Sequence, residues 1–69
     1  MKLKINLGNK TTERNIIKKD EGMYGTSYTL KCGWFVYYDN THFNKWRIVS
    51  LKKGEQIGIF EKNDIKELG

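Results

Sequence analysis

The stretch Thr26-Ser27-Tyr28-Thr29-Leu30-Lys31-Cys32-Gly33-Trp34-Phe35-Val36-Tyr37-Tyr38-Asp39 decides how this chain is read. Tyr28, Leu30, Cys32, Trp34, Val36 and Tyr38 share one parity. Ser27, Thr29, Lys31, Gly33, Phe35, Tyr37 and Asp39 share the other. Successive side chains of a strand point to opposite faces, so a period of two marks a strand with one face buried. The first parity is the more apolar and is the expected core side. Phe35 and Tyr37 then stand on the wetter side, beside Thr29 and Lys31. Fourteen residues is long for one strand, and a bend or bulge is expected at Gly33.

The same period recurs on both sides of this run. Leu3, Ile5 and Leu7 alternate with Lys2, Lys4 and Asn6, which predicts a half-buried first strand. Asn15 to Lys18 is a short second candidate, and Asp20 to Gly25 reads as a loop. Asp39-Asn40-Thr41-His42 reads as a turn. Phe43 to Leu51 is rich in β-branched and aromatic residues and reads as a strand. Lys52-Lys53-Gly54-Glu55 forms a hairpin loop, and Gln56 to Phe60 returns as its partner. Glu61 to Asp64 suits one helical turn, and Ile65 and Leu68 end the chain as an apolar pair. Proline is absent, so glycine provides the turns. The sum is a single all-β domain over residues 1–69, a small barrel of about five strands with a short helical turn before the last strand. Closing the barrel would hide the strand edges.

The second half resembles the ending of an SH3-like barrel. That family places a Trp at the start of a strand and, three positions later, an apolar residue that faces the core, here Val49. A hairpin follows, then Gly-apolar-apolar-Pro-x-Asn-Tyr-Val with a short helical turn. Here the run is Trp46-Arg47-Ile48-Val49-Ser50-Leu51, the hairpin Lys52 to Glu55, then Gly58-Ile59-Phe60-Glu61-Lys62-Asn63-Asp64-Ile65. The resemblance implies the barrel architecture. Glu61 stands at the Pro position, Asp64 at the Tyr position, and the first-half Ala-Leu-Tyr-Asp-Tyr motif is missing. Only Trp46 remains of the aromatic groove that binds polyproline, so the fold is inferred and polyproline binding is not.

Size and composition bound the function. A 69-residue domain buries only about 60% of its unfolded surface, which leaves a thin core and little room for a deep catalytic cavity. Cys32 is the single cysteine, so no intrachain disulfide forms and a cytoplasmic location is expected. The first ten residues carry charge without an apolar run, unlike a signal peptide. No stretch reaches the roughly 20 apolar residues of a membrane span. Thirteen Lys and Arg against eight Asp and Glu give a net charge of +5, a balance that favours polyanions or acidic protein surfaces. The Lys, Asn and Ile bias also fits an AT-rich genome.

Catalytic signatures are missing. His42 is the only histidine and lies in a turn, where a solvated side chain is the ordinary role. One His and one Cys cannot build a structural metal site. Cys32 shares the parity of Leu30 and Val36 and is expected to be a buried small hydrophobe rather than a nucleophile. Asp20-Glu21 and the Asp64, Glu67 pair sit in polar segments where solvent keeps carboxylates ionised. No phosphate-binding loop and no nucleophile elbow occur. No cofactor is implied.

The aromatic set is richer. Nine rings exceed the four or five that a small barrel buries at about native packing density, and surface rings mark binding faces. Basic residues interleave with them. Lys31, Phe35, Tyr37, Lys45, Trp46 and Arg47 form the candidate binding face. Two readings stay open. The first is a protein-interaction or regulatory module, of the compact kind that phages and mobile elements encode. The second is a barrel that stacks and neutralises single-stranded DNA or RNA. An edge-to-edge dimer is compatible with either, and an enzyme is not expected.

Overall fold

The computed structural model describes residues 1–23, 25–39 and 44–69. The expected turn at residues 40–42 and the rings of Tyr24 and Phe43 lie outside them, as does His42. The described chain is all-β. Its elements are β1 (Lys2–Asn6), β2 (Thr11–Gly22), β3 (Gly25–Leu30), β4 (Trp34–Asp39), β5 (Lys45–Ser50), β6 (Glu55–Phe60), a 3-10 turn (Lys62–Asp64) and β7 (Ile65–Leu68). Every pairing is antiparallel, in the order β6-β5-β4-β3-β2-β1-β7.

Seven strands replace the roughly five expected, and the departures from the expected strands have two reasons. The long run from Thr26 to Asp39 is a hairpin, not one bent strand. Tyr28 pairs with Val36 and Thr29 with Phe35, and the reversal is made over Lys31, Cys32 and Gly33. Gly33 has φ +95°, a conformation that a side chain opposes. The reversal folds the strand about Cys32 and leaves the parities intact, so the alternation read in the sequence is unaffected by the turn. The second reason is β2. Its polar face hides a 12-residue strand behind the short apolar segment Asn15 to Lys18, and Asp20-Glu21-Gly22 belong to it rather than to a loop.

β2 gives the sheet its curl. Its first half pairs with β1 and its second half with β3. The exchange occurs at Asn15 and Ile16: Ile16 N donates to Met1 O at 3.0 Å, and Lys31 N donates to Asn15 O at 2.9 Å. The register slips between Ile16 and Lys18. A bulge of this kind bends a strand and increases its twist. The sheet therefore folds over itself around Leu3, Ile5, Tyr28, Leu30, Val36, Ile48 and Ile65. Leu7, Ile16, Cys32, Trp34, Trp46 and Phe60 pack against this cluster.

The barrel does not close. β6 and β7 are the two ends of the sheet, and no ladder joins them. Strands alternate in direction across the seven, so these two ends run the same way. Pairing them would need a parallel ladder, and parallel neighbours require a crossover of about a dozen residues or more. Only Glu61 to Asp64 separate them. Asp64 closes that short link from both directions: its N donates to Glu61 O at 3.0 Å, and Glu61 N donates to the Asp64 carboxylate at 3.1 Å.

Candidate functional site

The pleat sorts the aromatic residues. Residues opposite one another on neighbouring strands share a face. Trp46 pairs with Tyr38 and Phe60, two positions from the buried Ile48, so all three rings join Tyr28 and Trp34 on the inner face. The Trp46 ring centroid lies 5.0 Å from that of Tyr38 and 5.9 Å from that of Tyr28. Its Nε1 is buried without a hydrogen-bond partner among the described residues. Phe35 and Tyr37 alone among the described rings are outer, 5.7 Å apart by centroid. Both are half-buried, as are the inner-face rings of Trp34, Tyr38, Trp46 and Phe60; Tyr28 is the one buried ring among the described residues.

The candidate face divides accordingly. Phe35, Tyr37, Lys45 and Arg47 share the outer face: Phe35 pairs with Val49, Tyr37 with Arg47, and Lys45 with Asp39. Trp46 lies on the opposite face. Lys31 sits in the β3–β4 turn beside Glu13, Arg14 and Asn15. Lys45 Nζ is 3.1 Å from Glu61 Oε1, which offsets its charge. The outer face also gathers residues that the sequence reading did not single out. Val49, which the resemblance placed in the core, instead lies on the outer face next to Phe35, because the neighbouring Ile48 takes the inward position, and Ile59 pairs with Arg47. Ile57 falls at a slip in the β5–β6 register, where Ile48 faces Gly58 and Val49 faces Gln56. Ile59 is 49% exposed, Ile57 38%, and Leu51 at the preceding turn 58%. The alternation of Ile57 and Ile59 was visible in the sequence. Their placement on the last strand of an open sheet was not.

The inner face carries charge at its rim. Arg14 pairs with Leu3, so it points inward. Its guanidinium lies 5.0 Å from the Trp34 ring centroid, and its Nε donates to Thr12 Oγ1 at 3.0 Å. A second group joins β2, β3 and β7. Lys19 Nζ donates to Glu67 Oε2 at 2.8 Å and lies 2.8 Å from Glu21 Oε1. Tyr28 Oη donates to the same Glu67 oxygen at 3.1 Å. Bonds to Glu21 and then Glu67 hold the Lys19 ammonium well above its ordinary range. The Lys19 bond, seconded by the Tyr28 bond, pulls Glu67 below 4.5 against the opposing effect of burial. Burial first, and then the Glu67 bond, push Tyr28 above 10.0. These groups serve structure: they tie the last strand across the curl. Glu21 and Glu67, expected in solvated loops, are strand residues with a shared cation, and Asp64 caps the 3-10 turn.

The remaining features are plain. Cys32 is half-buried in the β3–β4 turn and packs against the core, less enclosed than expected. A cleft of about 330 Å³ runs between the β2–β3 turn and Tyr37 and Tyr38. Among the described residues, no group of three or more His, Cys, Asp or Glu is placed to hold a metal. No helix of the described residues is long and apolar enough to cross a membrane. No family model, no curated protein and no solved structure matches the chain.

Proposed function

We propose that this chain is a small SH3-like interaction module without enzymatic activity, which binds a protein through the outer face of β4 to β6. One observation carries the reading: the exposed Ile57 and Ile59 lie on a free sheet edge, continuous with Val49 and Phe35. Apolar residues grouped on an unpaired edge are the usual setting for an added strand, in which main-chain hydrogen bonds give affinity and side-chain contacts give specificity. The SH3-like assignment is supported by the 3-10 turn before the last strand and by that strand's place beside the first. The seven strands, and Glu61 and Asp64 in place of the groove's Pro and Tyr, set it apart from the polyproline binders. Its size suits an accessory regulator of a phage or mobile element acting in the cytoplasm.

Nucleic acid is the weaker alternative. That reading needed Trp46 and the cations on one face, but Trp46 is inward and Lys45 is paired with Glu61. Selection of a displayed random peptide library on the chain, followed by amide chemical-shift mapping with the selected peptides, tests the proposal. The expected result is enrichment of extended segments with alternating apolar residues, with shifts along β5 and β6. Enrichment of no sequence, together with tight single-stranded DNA binding that weakens steeply as salt is raised, would overturn it.

A further inference from the structure

The register of β3 to β6 puts their turns at two opposite ends. One end carries Glu21, Asp39 and Glu61, with Lys19 and Lys45 beside them, so its charges are largely paired. The other carries Lys31 in the β3–β4 turn and Lys52 and Lys53 in the β5–β6 turn. Backbone bonds draw this second end together. Leu51 N donates to Gly33 O at 2.8 Å, and the Lys52 side chain lies along Gly33. Lys31 N donates to Asn15 O, and Ile16 N to Met1 O. Asn15 faces Lys2 across the β1–β2 ladder, and Ile17 falls at the bulge beside Ile16. Among the described residues, Lys2, Lys31, Lys52 and Lys53 stand in no ion pair. Arg14 shares a cleft with Lys31. Lys18 reaches Asp20 at 3.7 Å, an exposed pair. Apart from that pair, the carboxylates here are Glu13 and Glu55, and Glu13 stands between Lys4 and Lys31. Five cations therefore face two carboxylates.

The same end exposes apolar side chains. Met1 is 64% exposed, Ile17 65% and Leu51 58%. Each is followed directly by a lysine: Lys2, Lys18 and Lys52. We infer that this end of the sheet is a second docking surface, which rests on an anionic lipid bilayer. The apolar tips enter the headgroup boundary while the lysines stay level with the phosphates. Buried apolar area and attraction to anionic headgroups then add. A nucleic acid would engage the lysines but leave Ile17 and Leu51 in water, and no described ring is exposed to stack on a base. Protein interfaces favour aromatic residues and Arg and are depleted in Lys. The chain lies on the bilayer and does not cross it. This surface is separate from the outer face of β4 to β6, so the two are tested independently.

Co-sedimentation of the full chain with lipid vesicles is the test. The chain should pellet with phosphatidylcholine vesicles carrying about 30% phosphatidylglycerol and not with phosphatidylcholine alone, and pelleting should fall as salt rises. Lys52→Glu with Lys53→Glu should weaken binding at least about tenfold. Lys10→Glu with Lys62→Glu changes the net charge equally, but in the β1–β2 turn and the 3-10 turn. That variant should bind within about twofold of the unaltered chain, because charges beyond a Debye length are screened. Ile17→Ser with Leu51→Ser keeps every charge and should weaken binding severalfold. All these side chains are exposed, so each variant should keep the circular-dichroism melt of the unaltered chain. A second measurement needs no variant: amides of residues 17–18 and 51–53 should gain hydrogen-exchange protection on the anionic vesicles. Absence of pelleting with those vesicles, equal losses in the two charge-reversed variants, or undiminished binding by the serine variant overturns the inference. So does binding of duplex DNA or heparin without binding of vesicles.

Discussion

Ile48 and Ile59 offer a direct measure of which face of the sheet is the interior. Ile48 is 0% exposed between Val36 and Gly58, and Ile59, on the neighbouring strand, is 49% exposed. Truncating either to Ala removes the same three carbons. At Ile48 each carbon is worth about 0.8 kcal/mol of transfer free energy. The cavity left behind brings the total to about 3–4 kcal/mol. A domain of this length has about 3–10 kcal/mol of stability in all, so Ile48→Ala should approach or reach unfolding at 25 °C. Ile48→Val, at about 1 kcal/mol, is the quantifiable version. At Ile59 half the side chain is already hydrated, and Ala should cost less than about 1 kcal/mol. Urea titration followed by far-UV circular dichroism gives the midpoints. The inner rings of Trp34 and Trp46 supply an independent fluorescence probe. Equal losses at the two positions would refute the assignment of faces, and with it the docking surface built on the outer one.

Three further outcomes follow from particular contacts. Gly25 has φ +139°, and a Cβ there would sit 2.5 Å from the Tyr38 carbonyl oxygen, which is backbone and cannot yield. A Cβ on Gly33 would meet only the flexible Lys52 side chain at 3.0 Å. Gly33→Ala should therefore cost about 1–2 kcal/mol through backbone strain alone, and Gly25→Ala clearly more, as read by the same urea midpoints. The Lys19–Glu67–Tyr28 group sets the pH window of stability. Glu67 titrates below 4.5 in the fold, so its contribution is present above that pH and fades as pH falls through the folded value. Lys19 and Tyr28 titrate above 10.5 and 10.0, so theirs are complete below those values and fade as pH rises through the folded ones. Melting temperature should be flat between these limits in the unaltered chain, and Glu67→Gln should remove most of the acid limb. Arg14→Met keeps the apolar stem while removing the charge over Trp34. A small loss of stability, about 0.5–1 kcal/mol, together with changed Trp fluorescence, would place the cation–π contact in solution.

Local alternation was enough to fix the inward residues of β1, β3 and β4. Leu3, Ile5, Tyr28, Leu30 and Val36 face the core as their parities require, and the 3-10 turn before the final strand lies where Glu61 to Asp64 suggested. These are properties of neighbouring residues, and a period of two survives any turn that preserves register. That survival is also why the alternation could not reveal the hairpin at Gly33. A strand folded back on itself about Cys32 shows the same parities as a straight one. β2 was equally hidden, because its inner face is built from Thr12, Arg14 and Lys19, polar residues that look like loop until the curl supplies Trp34 and Glu67 from distant strands.

The candidate site failed at Trp46 for a related reason. Lys45, Trp46 and Arg47 are adjacent in sequence, but adjacent strand residues point to opposite faces, so one position of the three had to leave the group. Strand order lay beyond the sequence altogether. Whether Gln56 to Phe60 ends a sheet or closes a barrel depends on the number of strands between it and β7 and on the four-residue link joining the two. With seven strands and so short a link the ends cannot pair. The residues themselves make the pleat and its core. The tertiary arrangement alone makes an open edge and sets Ile57 and Ile59 on it.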